Sequence, residues 1–174
     1  MNIIATELDG VFEVQNKKFE DHRGLFIKTY HAEFFKEHGL CSDFKESFFS
    51  VSHKNVLRGM HFQIPPHDHD KLVYVTQGEI LDVAVDVRKD SATFGEFYAT
   101  KISFSNAKSL YIKKGFAHGF LTLSKQATVI YLTSTVHAPE SDQGISWDSF
   151  GFDWKVKQPI VSVRDSGFPQ IQDI

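Results

Sequence analysis

The sequence predicts an all-β protein of the jelly-roll type carrying a few short helices. Apolar residues recur mostly with period two, the strand-like runs are short and close together, and turn-forming residues separate them. The clearest strand is Ile80–Val87, where Leu81, Val83, Val85 and Val87 share one face and Asp82, Ala84 and Asp86 the other. That alternation predicts a half-buried strand. The preceding run, Leu72–Ile80, reads as a strand that turns at Gln77-Gly78 into the next, forming a hairpin. Further strands are expected over Phe48–Ser52, Val56–Gln63, Phe97–Ser103, Ser109–Ile112 and Thr128–Thr135, with turns at Ser105-Asn106, Lys113–Gly115 and Pro65-Pro66. The best helical signal is His31–His38, where Phe34, Phe35 and His38 lie at helical spacing and Gly39 supplies a C-terminal stop.

The chain has 174 residues, with 19 Lys+Arg against 22 Asp+Glu and a formal net charge of −3. That length suits one domain over residues 1–174, large enough to bury a core without staples. No repeat, low-complexity segment or linker marks a boundary. A near-neutral balance argues against a partner that is nucleic acid or an anionic membrane. The single cysteine, Cys41, excludes an internal disulfide framework and fits a reducing compartment. No apolar run approaches membrane-spanning length and the N-terminus lacks signal-peptide regions, so a cytoplasmic location is expected.

The densest cluster of chemically able side chains is Arg58–Leu72. His67-x-His69, with His118 later, has the look of spaced histidines in metal-binding double-stranded β-helices. A metal would want a carboxylate a few residues past His69, and Lys71 stands there instead, so no metal is expected. His67 and His69 are read as surface-loop residues after the Pro-Pro turn. His61 lies inside a strand, with Arg58 and Lys71 nearby to suit an anionic ligand. Strict alternation puts Arg58 and His61 on opposite faces unless Gly59 introduces a bulge. Taken singly, Tyr131 reads as a core tyrosine sharing a face with Val129 and Thr133, and Asp165 as a turn carboxylate or helix cap.

Together, Phe19–Phe26 (FEDHRGLF), Leu57–Gln63 (LRGMHFQ), Lys71–Val73, Gly78–Arg88 (GEILDVAVDVR), Gly115–Phe120 (GFAHGF) and Ala138–Glu140 closely resemble the dTDP-4-dehydrorhamnose 3,5-epimerase family, in order and spacing over nearly the whole chain. The resemblance implies a cupin-type jelly roll, a homodimer with exchanged N-terminal strands, and no metal or organic cofactor. It implies inversion of C3, C5 or both in a nucleoside-diphosphate 4-keto-6-deoxy sugar during deoxysugar biosynthesis. By position in the matching motifs, His61 is the base and Asp165 its aspartate partner. Lys71 matches the cation near the C4 oxygen, and Tyr131 the acid on the opposite ring face. Arg23, Arg58 and His118 match diphosphate or sugar contacts, with Ser50 and Gln63 among the binding positions. Such chemistry needs these types, since a proton beside a ketone is acidic only while the developing enolate is stabilised.

Three positions depart from the family pattern. Its second tyrosine, six residues after the acid, is here His137, which leaves one or two inverted centres as alternatives and offers a second proton carrier. Its Phe-x-Glu is Phe26-Ile-Lys28 and its Gln-x-Asn is Glu46-Ser-Phe48. Glu46 prefers amino or ring N–H donors, which widens the expected nucleotide from dTDP to CDP or GDP, unless Lys28 and Glu46 pair with each other. The competing functions are a 3,4-ketoisomerase on the same substrate class, a non-catalytic sugar-nucleotide-binding cupin and a metal-dependent oxygenase.

Overall fold

The computed structural model describes residues 1–174. Its strands are β1 (Asn2–Ala5), β2 (Val11–Gln15), β3 (Lys18–Asp21), β4 (Gly24–Ile27), β5 (Glu46–His53), β6 (Leu57–Gln63), β7 (Lys71–Gln77), β8 (Glu79–Asp86), β9 (Phe97–Ser103), β10 (Lys108–Ile112), β11 (Phe116–Thr122), β12 (Gln126–Thr133) and β13 (Asp142–Gly144). Two short helices, α1 (Ala32–Glu37) and α2 (Val163–Ser166), complete the regular structure with a 3-10 turn at Ile171–Asp173. One antiparallel sheet has the order β1-β2-β10-β7-β12-β5 and the second β13-β6-β11-β8-β9; β3 and β4 form a separate hairpin.

The sheets pack through a core drawn from both. Val73, Val75, Leu110, Ile112 and Val129 come from the first; Ile80, Ala84, Ile102, Phe116 and Phe120 come from the second. On β7 the inward face continues Val75, Val73, Lys71, and then His69 beyond the strand end. Apolar residues thus fill the deep part of the sandwich and polar ones line its mouth. The hairpin β7–β8 turns at Gly78, as its sequence predicts; φ is +81° there, and a Cβ would lie 2.1 Å from the Gln126 carbonyl oxygen.

The structure corrects two strand expectations. β8 is not half exposed: Asp82, Val83, Ala84, Val85 and Asp86 are all fully buried. Residues Ile145, Phe150, Trp154 and Ile171 of the C-terminal segment cover its apolar side. On the other side each carboxylate has a partner, His118 for Asp82 and Arg88 for Asp86. β11, absent from the sequence reading, is buried along its whole length, so it has no alternation to detect. The predicted helix forms as α1 with Phe35 buried, packing with Tyr111 and Leu72 on the outer side of the first sheet. No helix is long and apolar enough to cross a membrane.

Candidate active site

The open end of the sandwich holds a cavity of about 500 Å³, lined from both sheets. Its placement on the fold follows from one local irregularity. Between β11 and β6 the register runs His118↔His61 but Phe120↔Arg58, so β6 carries one extra residue. The bulge centres on Gly59, with φ of +136° and no room for a side chain: a Cβ would sit 2.6 Å from the Gly119 Cα. The extra residue brings Arg58 and His61 to the same cavity, which strict alternation forbids.

His61 donates from Nε2 to Asp165 Oδ1 at 2.9 Å, and Asp165 Oδ2 accepts from the Gly59 backbone N–H at 3.1 Å. An ionised carboxylate only accepts, so the imidazole proton resides on Nε2, leaving Nδ1 bare and without a partner in the chain. Burial alone would raise the Asp165 pKa, but the His61 and Gly59 hydrogen bonds outweigh it and hold it below the usual carboxylate range. Asp165 lies in α2, whose N-cap Ser162 accepts from the Asp165 backbone N–H at 3.0 Å. The expectation of a capped-turn aspartate and that of a histidine partner therefore both describe the same residue.

Tyr131 projects from the opposite sheet. Its ring stacks on Phe48 with centroids 4.8 Å apart, and its hydroxyl lies 3.2 Å from Ser50 Oγ. Both partners follow from register, Tyr131↔Phe48, with Ser50 two residues further along the same face of β5. Burial pushes the Tyr131 pKa up. Lys71, on neighbouring β7, donates from Nζ to the His61 carbonyl at 2.9 Å. Its ammonium is buried, and that burial pushes its pKa down to about 8, even though Asp142 and Asp82 pull it the other way.

His118 donates to both oxygens of Asp82, at 3.0 and 2.9 Å, and both residues are buried. Arg58 Nε donates to Ser52 Oγ at 2.9 Å. Glu46, Gln63 and His137 also border the cavity. Glu46 Oε2 accepts from the His137 backbone N–H at 2.9 Å, so part of its carboxylate fixes that segment. The Gln63 side chain is saturated by protein: its Oε1 accepts from Ala138 N–H at 2.8 Å and its amide nitrogen donates to the His67 carbonyl at 2.7 Å.

Two expected binding residues lie outside the cavity. Arg23, in the β3–β4 turn, pairs with Asp21 at 2.6 Å with its side chain 79% exposed. Lys28, just past β4, lines no part of the cavity and forms no ion pair with Glu46. The Lys28–Glu46 pairing that would have removed the case for CDP or GDP is absent within the chain, but Glu46 itself weakens that case, since one of its oxygens is already taken by the His137 backbone N–H. His69 is the reverse case. It is not a surface-loop histidine: its ring borders the cavity, and burial, then the Lys71 charge, pushes its pKa down to about 3. His67 is only partly exposed, with Nδ1 3.0 Å from Ser141 Oγ. Asp142 and Arg164 were also missed. Asp142 Oδ2 accepts from Arg164 at 2.7 Å and from His137 Nε2 at 3.1 Å, tying β13, α2 and the β12–β13 segment together at the cavity mouth. Asp142 is legible only through its register with Gln63 on β6. No three His, Cys, Asp or Glu side chains are grouped to hold a metal ion.

Residues 5–173 match the family model for dTDP-4-dehydrorhamnose 3,5-epimerase. The Escherichia coli strain K12 enzyme of that name is 43% identical over 170 residues, 95% of this chain and 91% of its own. The crystal structure of the Legionella pneumophila dTDP-6-deoxy-D-glucose-3,5-epimerase RmlC, in complex with dTDP-4-keto-L-rhamnose, superposes with a TM-score of 0.95 at 36% identity, covering 99% of this chain and 94% of its own. ChmJ, a 3'-monoepimerase from Streptomyces bikiniensis in complex with dTDP-quinovose, gives a TM-score of 0.91 at 29% identity over 97% of this chain and 87% of its own. Sequence motifs, sandwich topology and these likenesses agree, and the chain belongs to the dTDP-4-dehydrorhamnose 3,5-epimerase family.

Proposed function

We propose that this protein is a cofactor-independent 3,5-epimerase of a dTDP-4-keto-6-deoxy sugar, acting in deoxysugar biosynthesis of the dTDP-rhamnose kind. The observation that carries the reading is an acid–base pair on opposing walls. His61 with Asp165 stands on one sheet, Tyr131 on the other, and the Lys71 ammonium is hydrogen-bonded across to the His61 carbonyl. Inversion needs removal of a proton from one face of a carbon and delivery to the other, which groups on a single wall cannot achieve.

In this mechanism, His61 Nδ1 takes the proton from the carbon beside the ketone, and Asp165 stabilises the imidazolium. The electron pair moves onto the C4 oxygen, where Lys71 stabilises the enolate in a site poorly screened by water. Tyr131 then delivers its hydroxyl proton to the opposite face, and the ketone re-forms. Its raised pKa keeps it protonated and ready as an acid at neutral pH. Proton exchange with solvent, relayed from the His61 imidazolium to the Tyr131 phenolate, restores the starting state. The same pair serves C3 and C5 in turn, because both carbons flank C4. Arg58 and His118 hold the diphosphate or sugar, and Phe48 gives an apolar stacking surface.

The partner of this chain in the proposal is a second copy. The β3–β4 hairpin exposes Phe19 and Phe26, at 49% and 59%, and the edge strand β5 exposes Phe49 at 69%. Exchange of N-terminal strands in a homodimer covers such faces and carries Arg23 and Lys28 to the partner's cavity. Light scattering at micromolar concentration tests this, with a mass of one chain as the contrary result. The lone half-buried Cys41 supports a cytoplasmic location. Incubating the protein with the keto-sugar and measuring the C3 and C5 configuration of the product by proton NMR tests the function. A product with its carbonyl moved from C4 to C3 would instead support a ketoisomerase.

A further inference from the structure

Each inversion consumes the Tyr131 proton, so the surroundings of that hydroxyl decide how it is replaced. Tyr131 is only 8% exposed. Phe48 stacks on its ring, and the His118 ring stands edge-on with centroids 6.2 Å apart. A single polar group of the chain lies within hydrogen-bonding reach of the phenol oxygen, Ser50 Oγ at 3.2 Å. That hydroxyl has no second partner in the chain, so it is free to turn between donating and accepting. Ser52, next on the same face of β5, is different. It is buried, and its oxygen accepts from Arg58 Nε at 2.9 Å. Ser50 is half-buried, borders the cavity and lies on β5, the edge strand of its sheet. Its oxygen therefore stands between a buried phenol and the open side of the sheet.

We infer that the Ser50 hydroxyl is the proton relay that recharges Tyr131, passing it a proton from solvent after each inversion. In one concerted step the phenolate oxygen takes the Ser50 proton while Ser50 Oγ takes one from a water molecule at the strand edge. The proton lost by that water is made up by the one released from the His61 imidazolium, so both walls return to their starting states. A hydroxyl suits this task because it donates and accepts through one atom and carries no charge that must be buried. A phenolate left in this enclosed position is costly, which drives the transfer. Two inversions on one bound sugar need a recharge between them, while the sugar still fills the cavity. Ser50 acts through Tyr131, and the inference rests on the epimerase reading above.

Ser50→Val and Ser50→Thr test the relay as a pair, because they match in bulk and differ by a methyl for a hydroxyl, and β-branched residues suit an edge strand. On a dTDP-4-keto-6-deoxyhexose, Ser50→Val is expected to lower steady-state kcat by about 10- to 100-fold with KM within about three-fold of wild type. With enzyme in excess over sugar, rapid quench and proton NMR should show the first centre inverting within about three-fold of the wild-type rate. The second centre should lag, so that sugar inverted at one centre accumulates. Ser50→Thr is expected to recover kcat to within about five-fold and to show no such accumulation. A Ser50→Val enzyme with kcat within about two-fold of wild type contradicts the relay. So does a first inversion slowed as much as kcat, which would make Ser50 a support for the Tyr131 ring. Should Ser50→Val fail to fold, Ser50→Ala takes its place in the same comparison. Wild-type protein inactive on the keto-sugar would sink the epimerase reading itself, whereas an active wild type matched by Ser50→Val sinks the relay alone.

Discussion

Two histidine–aspartate pairs stand side by side in this protein and are built in different ways. His61 and His118 are direct cross-strand partners on β6 and β11, so their rings leave the same face of one sheet. His118 takes its carboxylate from Asp82 on the adjacent strand β8, and both side chains are almost wholly buried, 4% and 0% exposed. His61 takes its carboxylate from Asp165, carried by a helix more than 100 residues later in the chain, and its own side chain is 32% exposed. The first pair is enclosed by the sheet itself. The second is assembled at the cavity by the C-terminal segment, with one ring nitrogen left without a partner in the chain. In the proposed mechanism, chemistry resides in the pair that the fold has to reach out to build.

Removing the base breaks the comparison most severely. His61→Ala is expected to lower kcat/KM by about 10³- to 10⁴-fold, measured in steady state, with proton exchange lost at every centre. Tyr131→Phe should cost about 10²- to 10³-fold in product formation while still exchanging substrate protons for deuterium, because abstraction survives and delivery to the other face does not. Asp165→Asn keeps an acceptor for His61 but no longer stabilises an imidazolium, and a loss of about 10- to 100-fold in kcat is expected. The matching change in the other pair, Asp82→Ala, should act on stability and, through the loosened His118, on KM rather than on kcat. It leaves the His118 N–H unsatisfied, costing about 1–3 kcal/mol in denaturant unfolding. Equal kcat losses for the Asp165 and Asp82 variants would erase the distinction between the pairs.

The smallest effect expected is on the pH profile. Lys71 loses its proton as pH rises through about 8 in the free protein, so kcat/KM should fall tenfold per pH unit above that point. The folded pKa lies below the ordinary lysine value of about 10.4, so the folded state binds fewer protons than the unfolded one between these limits. Folding stability contributed by Lys71 therefore rises with pH across that window, and the lost activity is not unfolding. Lys71→Arg should move the alkaline limb out of range, at whatever cost in rate.

The sequence makes the strands of the sandwich readable where one face is core and the other is not, as on β12, whose burial alternates residue by residue. It hides β11, where both faces are buried and periodicity vanishes, and it misjudges β8, whose Asp82 and Asp86 look solvated but are partnered indoors. Position in matching motifs singles out His61, Lys71 and Tyr131, which line one cavity from opposing sheets, and Asp165, which meets it through His61, but spacing alone could not have joined residues so far apart in the chain. Gly59 was visible as a source of irregularity, and its bulge is what turns Arg58 inward. His69 was misread because a Pro-Pro turn suggested an exposed loop, although its alternation with Lys71 and Val73 pointed inward. Arg23 and Lys28 lie outside the cavity of the single chain, so its geometry assigns them no contact there.

The most direct test of the central claim is proton NMR of a dTDP-4-keto-6-deoxyhexose incubated in deuterium oxide with wild-type protein and with His61→Ala. The expected result is deuterium at C3 and C5 with inverted configuration for the wild type, and no enzyme-dependent deuterium for the variant. Exchange by His61→Ala at a rate near that of the wild type would contradict the assignment of His61 as the base facing Tyr131.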